Sequence, residues 1–320
     1  MLEALAVLAP MFVIFAIGFI GGYSSKFQRG AKGLNDFVFS IALPCFIYIS
    51  IATTDLPDSF PWQVWVVALI FPGAFAVAVY YVTHWLSTTH RMLAAPLSLS
   101  ASYGNVGYFG IPMTIALLGS QAAIPAAIVH LLHNLIFLVG YPILRGNTAN
   151  SAHAAQGNTI QRLSQEILSR AILNPVTIST ILGVVVVAFN VPVPELVTDS
   201  LELLAATAIP LALFSVGIAM HPALASIRSG GLSLSMVLSG IGVKNIIFPL
   251  ASFALVWVLP HGMGADWFNT LILMAAMPMS TSGYILSARY DESGDLAAGV
   301  LAGTTLLSIV TVPVLATMLL

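Results

Sequence analysis

The chain has 320 residues, 58% hydrophobic and only 7% charged, with a mean hydropathy of +0.98; soluble domains carry about 25% charged residues, so a water-soluble globular protein is excluded. The formal net charge is −2, and the basic residues outside the apolar segments are scattered over separate loops, which excludes a nucleic-acid-binding patch. Cys45 is the only cysteine, so no internal disulfide can form, and no Cys/His spacing suggests a metal or cofactor site.

A bilayer core about 30 Å thick calls for roughly 20 apolar residues per helix, and such windows recur from end to end. They predict an all-α membrane protein with ten spans, at residues 2–22, 34–52, 63–86, 93–118, 121–144, 170–190, 198–220, 232–259, 266–288 and 295–319. The first is flanked by Glu3 instead of a basic stretch, so it reads as a permanent helix and not as a secretory leader. Lys26, Arg29, Lys32, Arg91, Arg145, Arg162, Arg170, Arg228 and Arg289 fall in or beside the odd-numbered loops, whereas Asp55, Asp58, Glu195, Asp199, Glu202 and Asp266 occupy the even-numbered ones. By the positive-inside rule the odd loops are cytoplasmic and both termini lie outside.

The longest hydrophilic segment, residues 145–169, divides the chain into a first half, 1–144, and a second, 170–320. Ile160, Leu163, Ile167 and Leu168 recur at helical spacing, so the end of this linker is expected to lie on the membrane surface. Each half places one proline in each of its five spans: Pro10, Pro44, Pro72, Pro112 and Pro142, then Pro175, Pro210, Pro249, Pro278 and Pro313. Ile70-Phe71-Pro72 also recurs as Ile247-Phe248-Pro249. A repeat with an odd number of spans must enter the membrane from opposite sides in its two copies, and inverted repeats of this kind belong to secondary transporters.

In the fourth span the stretch GNVGYFGIPM holds Gly104, Asn105, Gly107, Gly110, Pro112 and Met113. Glycine lowers helix propensity, and proline removes a donor and crowds the turn before it, so a break is expected here. Its counterpart in the ninth span is Pro278, followed by Ser280, Thr281, Ser282, Gly283 and Tyr284. A break exposes backbone N–H groups at the start of the second half-helix, where the partial positive charge favours an anion. Span five adds His130, His133, Asn134 and Phe137 on one helical face. Their bland reading is interhelical hydrogen bonding. Lys244 lies roughly 18 Å along span eight at 1.5 Å per residue, deep enough to be a functional or structural charge in the bundle interior.

These motifs carry a family resemblance. ASYGNVGYFGIPM, KNIIFP from Lys244 to Pro249, and AAMPMSTSGYILSARY resemble, in that order, the fourth-, eighth- and ninth-helix signatures of the auxin efflux carrier family. The Ser-Gly-Tyr after Pro278 is most similar to its malonate-transporter-like bacterial branch. The resemblance implies two inverted five-helix repeats, with a scaffold of helices 1, 2, 6 and 7 and a transport part of helices 3–5 and 8–10 in which helices 4 and 9 are broken and cross. It also implies a homodimer in the bacterial inner membrane that moves organic anions by an elevator-like motion. Asn105 matches the family's first crossover asparagine, whereas the ninth helix has Ser282 and Gly283 where many relatives have the second.

The expected function is therefore secondary transport of a small carboxylate, malonate-like or auxin-like. The expected binding residues are Gly104, Asn105, Gly107, Pro112, Met113, His130, His133, Asn134, Pro278, Ser280, Thr281, Ser282 and Tyr284. An anion channel, or an intramembrane enzyme built on Ser282 and His133, are the competing readings.

Overall fold

In hydrocarbon every backbone N–H and C=O must find its partner within the protein, which a helix achieves inside a single segment. The computed structural model describes residues 2–54, 56, 60–86, 91–148, 173–228, 234–260, 262–290 and 294–319. Among them it holds no strand, and its one isolated antiparallel bridge joins Gly104 to Met279. The helices are α1 (Leu2–Gly21), α2 (Ser25–Ala52), α3 (Trp65–Leu86), α4 (Ala94–Ser102), α5 (Val106–Leu118), α6 (Ala123–Thr148) and α7 (Pro175–Ala188). They continue with α8 (Glu195–Ala205), α9 (Ala208–Arg228), α10 (Leu234–Val258), α11 (Ala265–Ala275), α12 (Thr281–Tyr290) and α13 (Gly294–Leu319).

Among the described residues six runs are long and apolar enough to cross a membrane: Ser25–Ala52, Trp65–Leu86, Ser120–Tyr141, Glu195–His221, Leu234–Val258 and Asp295–Leu319. Shorter apolar stretches are Leu8–Gly21, Val106–Leu118 and Pro175–Ala188. The protein is therefore an integral membrane protein with an all-helical fold. The surface segment expected at Ile160 to Leu168 lies outside the described residues.

The largest boundary difference from the sequence reading is at the second span. The second span was expected from residue 34, yet α2 starts at Ser25, and Lys26, Arg29 and Lys32 stand on its exposed outer turns. No residue from Ser25 to Phe37 is buried, and a Cβ on Gly30 or Gly33 would meet nothing within 4 Å. An amphipathic helix has a low mean hydropathy, so a hydrophobic window does not register it.

The span prolines seldom break their helices. Pro44, Pro72, Pro112 and Pro249 each follow a π-helical turn, at Val38–Ala42, Trp65–Ile70, Val106–Gly110 and Val243–Ile247. In every case the residue before the proline bonds five residues back instead of four: Leu43 to Val38, Phe71 to Val66, Ile111 to Val106 and Phe248 to Val243. The widened turn relieves the clash between the proline ring and the preceding carbonyl. Ile70-Phe71-Pro72 and Ile247-Phe248-Pro249 thus close the same local structure in the two halves of the chain.

α1 packs along α9, and the inner half of α2 packs along α7 and α8. The first contact depends on glycine. A Cβ on Gly18 would stand 2.2 Å from the Phe214 carbonyl oxygen, and one on Gly217 would stand 2.3 Å from that of Phe15. Backbones in lipid associate by such close approach, because no hydrophobic force drives apolar helices together there. Gly217→Ala should overpack this contact and cost about 1–3 kcal/mol, lowering the melting temperature of the detergent-purified protein. Gly242→Ala, where a Cβ meets nothing within 4 Å, should leave it unchanged. Equal melting temperatures for the two variants would rule out the close approach.

Candidate functional site

The first break is earlier than the glycine and proline pattern suggests. α4 ends at Ser102, Tyr103 turns extended (φ −85°, ψ 101°), and α5 begins at Val106. Gly107, Gly110, Pro112 and Met113 lie inside α5, because the π turn accommodates Pro112 without interruption. The Asn105 carbonyl accepts from the N–H groups of Phe109 (3.3 Å) and Gly110 (2.9 Å). The leading amides of Val106, Gly107 and Tyr108 are consequently those without an intrahelical acceptor. The expectation that amides following Pro112 would face a ligand is corrected accordingly. In the second break α11 ends at Ala275, residues 276–280 are non-helical, and α12 begins at Thr281.

The two breaks satisfy each other. Asn105 N–H donates to the Pro278 carbonyl (2.7 Å), and Ser280 N–H donates to the Tyr103 carbonyl (2.8 Å). Neighbouring helices take up two more donors: Gly104 N–H bonds His133 Nε2 on α6 (3.1 Å), and Met279 N–H bonds Thr304 Oγ1 on α13 (3.1 Å). An Nε2 that accepts carries no proton, so His133 is a neutral imidazole protonated on Nδ1 in this arrangement. Ser280 Oγ accepts from Ser282 N–H (3.2 Å), which caps α12.

The other polar groups of α6 form a second network. Tyr103 Oη donates to Asn134 Oδ1 (2.5 Å), and Asn134 Nδ2 lies 2.9 Å from His130 Nε2. The Tyr103 ring stacks on Phe137, with centroids 4.7 Å apart. Glycines make this closeness possible. A Cβ on Gly107 would stand 2.8 Å from His130 Cε1, and one on Gly283 would stand 3.1 Å from Tyr103 Cδ1. Gly283, where many relatives of the resembled family have asparagine, is thus the space into which Tyr103 fits.

A cavity of about 70 Å³ opens at the crossing. Gly104, Asn105, Gly107, His130, Asn134, Ser280 and Ser282 line it, all expected from sequence. His133 lies behind the first break, bonded to Gly104, and Pro278 contributes its carbonyl to the bridge. Pro112 and Met113 are buried in α5, Met113 within the apolar cluster that also holds Phe109 and Met277, so neither reaches the cavity. Thr281 and Tyr284 do not line it either, and Tyr284 packs against two apolar clusters.

Sequence reasoning missed the facing wall: Phe39 and Leu43 on α2, Tyr103, Val106 and Tyr108 around the first break, Leu138 on α6, and Asn174 with Val176 at the start of α7. Asn174 was detectable. It precedes Pro175 at the first helical position and caps α7 by accepting from Val176 N–H (2.9 Å), the usual signature of a helix start.

Two features stand out electrostatically. Asn105 is 2% exposed, and its Nδ2 has no hydrogen-bond partner. Lys244 is fully buried, and its Nζ donates to the Ala275 carbonyl (3.0 Å) and lies 4.5 Å from the Phe248 ring centroid. Among the described residues no three His, Cys, Asp or Glu side chains converge on a point where a metal would sit.

Thr304 tests the crossing itself. Replacement by the isosteric valine leaves the Met279 N–H buried without an acceptor, at a cost of about 1–3 kcal/mol, while Thr304→Ser retains the oxygen. A lowered melting temperature for the valine variant alone is expected. Identical melting curves for both variants would show that the bond carries no stability.

Three relatives align with nearly the whole chain. A Rhizobium meliloti (strain 1021) protein named "Putative malonate transporter" is 23% identical over 321 residues, covering 98% of this chain and 94% of that protein. An "Uncharacterized transporter" of Methanothermobacter thermautotrophicus is 22% identical over 313 residues, covering 98% and 95%. The "Uncharacterized transporter YfdV" of Escherichia coli (strain K12) is 24% identical over 312 residues, covering 96% and 94%. Residues 4–316 match the family described as membrane transport protein, so the chain belongs to that family, the auxin efflux carrier-like one that its helix-crossing motifs resemble.

Proposed function

We propose that this protein is a secondary carrier of small organic carboxylates. The anion binds between the N-terminal ends of α5 and α12, held by the leading backbone amides, by Asn105 Nδ2 and by the hydroxyls of Ser280 and Ser282. His130 and Asn134 border the site. Asn105 carries this reading: an unpaired donor at membrane depth is costly, and it lies beside a cavity at the junction of two helix N-termini. A carboxylate supplies the missing acceptor and suits the partial positive charge of both helix ends. The name carried by the Rhizobium meliloti relative points to the same class of solute.

The architecture we propose is ten membrane helices in two oppositely oriented repeats, residues 1–144 and 170–320, joined by a cytoplasmic linker at 145–169. Exchanging the halves carries the α1 to α9 packing onto the α7 to α2 packing, as a pseudo-two-fold relation requires. The paired π turns before Pro72 and Pro249, and the paired breaks, support the same relation. α1, α2 and α7–α9 form a scaffold through which two copies associate, and α3–α6 with α10–α13 form the part that moves. Both termini face the periplasm of a bacterial inner membrane. Alternating access follows when the moving part slides along the scaffold between two states of comparable free energy.

Asn105→Ala removes a hydrogen bond to a charged acceptor, about 1.5–3 kcal/mol, so saturable carboxylate uptake into proteoliposomes should require roughly tenfold or more substrate. The melting temperature of the ligand-free protein should not fall, since that side chain nitrogen has no partner to lose. Wild-type uptake kinetics in the variant would refute the site.

A further inference from the structure

The crossing brings together four half-helix ends of known polarity. α5 and α12 present N-termini of about +0.5 charge, whereas α4 and α11 present C-termini of about −0.5. Those contributions cancel, and a neutral crossing has no net attraction for an anion. The remaining charge is Lys244. Its Nζ is bonded to the carbonyl of Ala275, the last residue of α11, and lies 3.4 Å from where a Cβ of Gly104 would stand, just past the end of α4. Among the described residues no carboxylate pairs with it, and it lies over the Phe248 ring. The carbonyl and the aromatic face are both suited to an ammonium group.

The cavity lies on the other side of Gly104, and no Lys or Arg side chain lines it. The described residues lining it carry no formal charge, and Asn105, whose side-chain Nδ2 has no partner, is one of them.

We infer that Lys244 is the built-in counter-cation of the crossing and, by offsetting the two C-terminal ends, sets the site's capacity at one negative charge, so the substrate is a small monocarboxylate anion. This rests on the binding-site reading above and narrows it. A dicarboxylate would bring a second charge into a cavity of about 70 Å³ with no second cation to meet it. The same logic makes binding independent of sodium, since the cation that a broken-helix site otherwise draws from solution is already tethered.

The test compares two acids of one shape. Malonate and malonamate share a three-carbon frame, and the second carboxylate of the first is a neutral carboxamide in the other. Calorimetric titration of the purified wild-type protein, just below neutral pH and at fixed ionic strength in sodium and in choline buffers, should give malonamate at least tenfold tighter binding than malonate. Both buffers should give the same malonamate affinity. Lys244→Met should weaken malonamate binding at least tenfold; should that variant not fold, the wild-type pair of acids still decides. Malonate binding as tight as malonamate, or a need for sodium, with either acid weakened by Asn105→Ala, would overturn the charge assignment and leave the carrier site standing. No binding of either acid that responds to Asn105→Ala would remove both.

Discussion

The structure is organised by four peptide groups that a membrane cannot leave unpaired. Where α4 gives way to α5 and α11 to α12, water is not available to take the freed N–H and C=O groups. The two breaks solve the problem jointly, Asn105 to Pro278 and Ser280 to Tyr103, in an antiparallel bridge, the only one among the described residues. His133 and Thr304 absorb the next two donors from α6 and α13. The leading amides of α5 and the Asn105 side chain are left over, and the cavity lies against them. A binding site of this kind is the remainder of a backbone hydrogen-bonding problem, which is why it falls where two helices fail.

Much of this is legible in the sequence. Composition forces helices, the amide and hydroxyl residues near Gly104 and Pro278 mark the breaks, and His130, His133 and Asn134 share a face because their spacing is helical. The finer geometry is not legible, for a physical reason. Proline can be met by a break or by a π turn, and both relieve the same clash. Pattern reading treats Pro112 as the break, whereas the chain breaks at Tyr103 to Asn105 and accommodates Pro112 by a longer backbone bond. Each π turn also inserts a residue, which takes the helical face downstream of it off the 3.6-residue period. Apart from Asn174, the wall that α2 and α7 contribute is apolar and has no chemical signature. It could be found only by knowing which helix lies opposite.

Polar side chains inside the bundle are engaged in holding the crossing. His133 is fixed as an acceptor by the Gly104 amide, and Asn134 is bound on both sides, by Tyr103 and by His130. A histidine and an asparagine at membrane depth look from sequence like ligand or proton groups. Here the backbone of the break makes the first claim on His133, and a solute competes for what is left. Asn105, whose amide N–H is engaged while its side-chain nitrogen is not, keeps spare capacity beside the cavity.

The cavity's two walls differ in a way that bears on movement. One wall is the crossing, with its amides, hydroxyls and Asn105; the other is Phe39 and Leu43 of α2 with Val176 of α7, and Asn174, whose oxygen is occupied capping its own helix. In the proposed elevator cycle the polar wall travels with the solute and the apolar wall stays with the scaffold. Sliding along apolar side chains breaks no hydrogen bond to the solute, so the barrier is set by repacking and not by desolvating an anion twice. The α1 to α9 contact, closed by Gly18 and Gly217 to backbone distance, falls wholly within the proposed scaffold and need not open in that cycle. Tight glycine packing on one side of the seam and an apolar wall along it are what a rigid frame beside a sliding part requires.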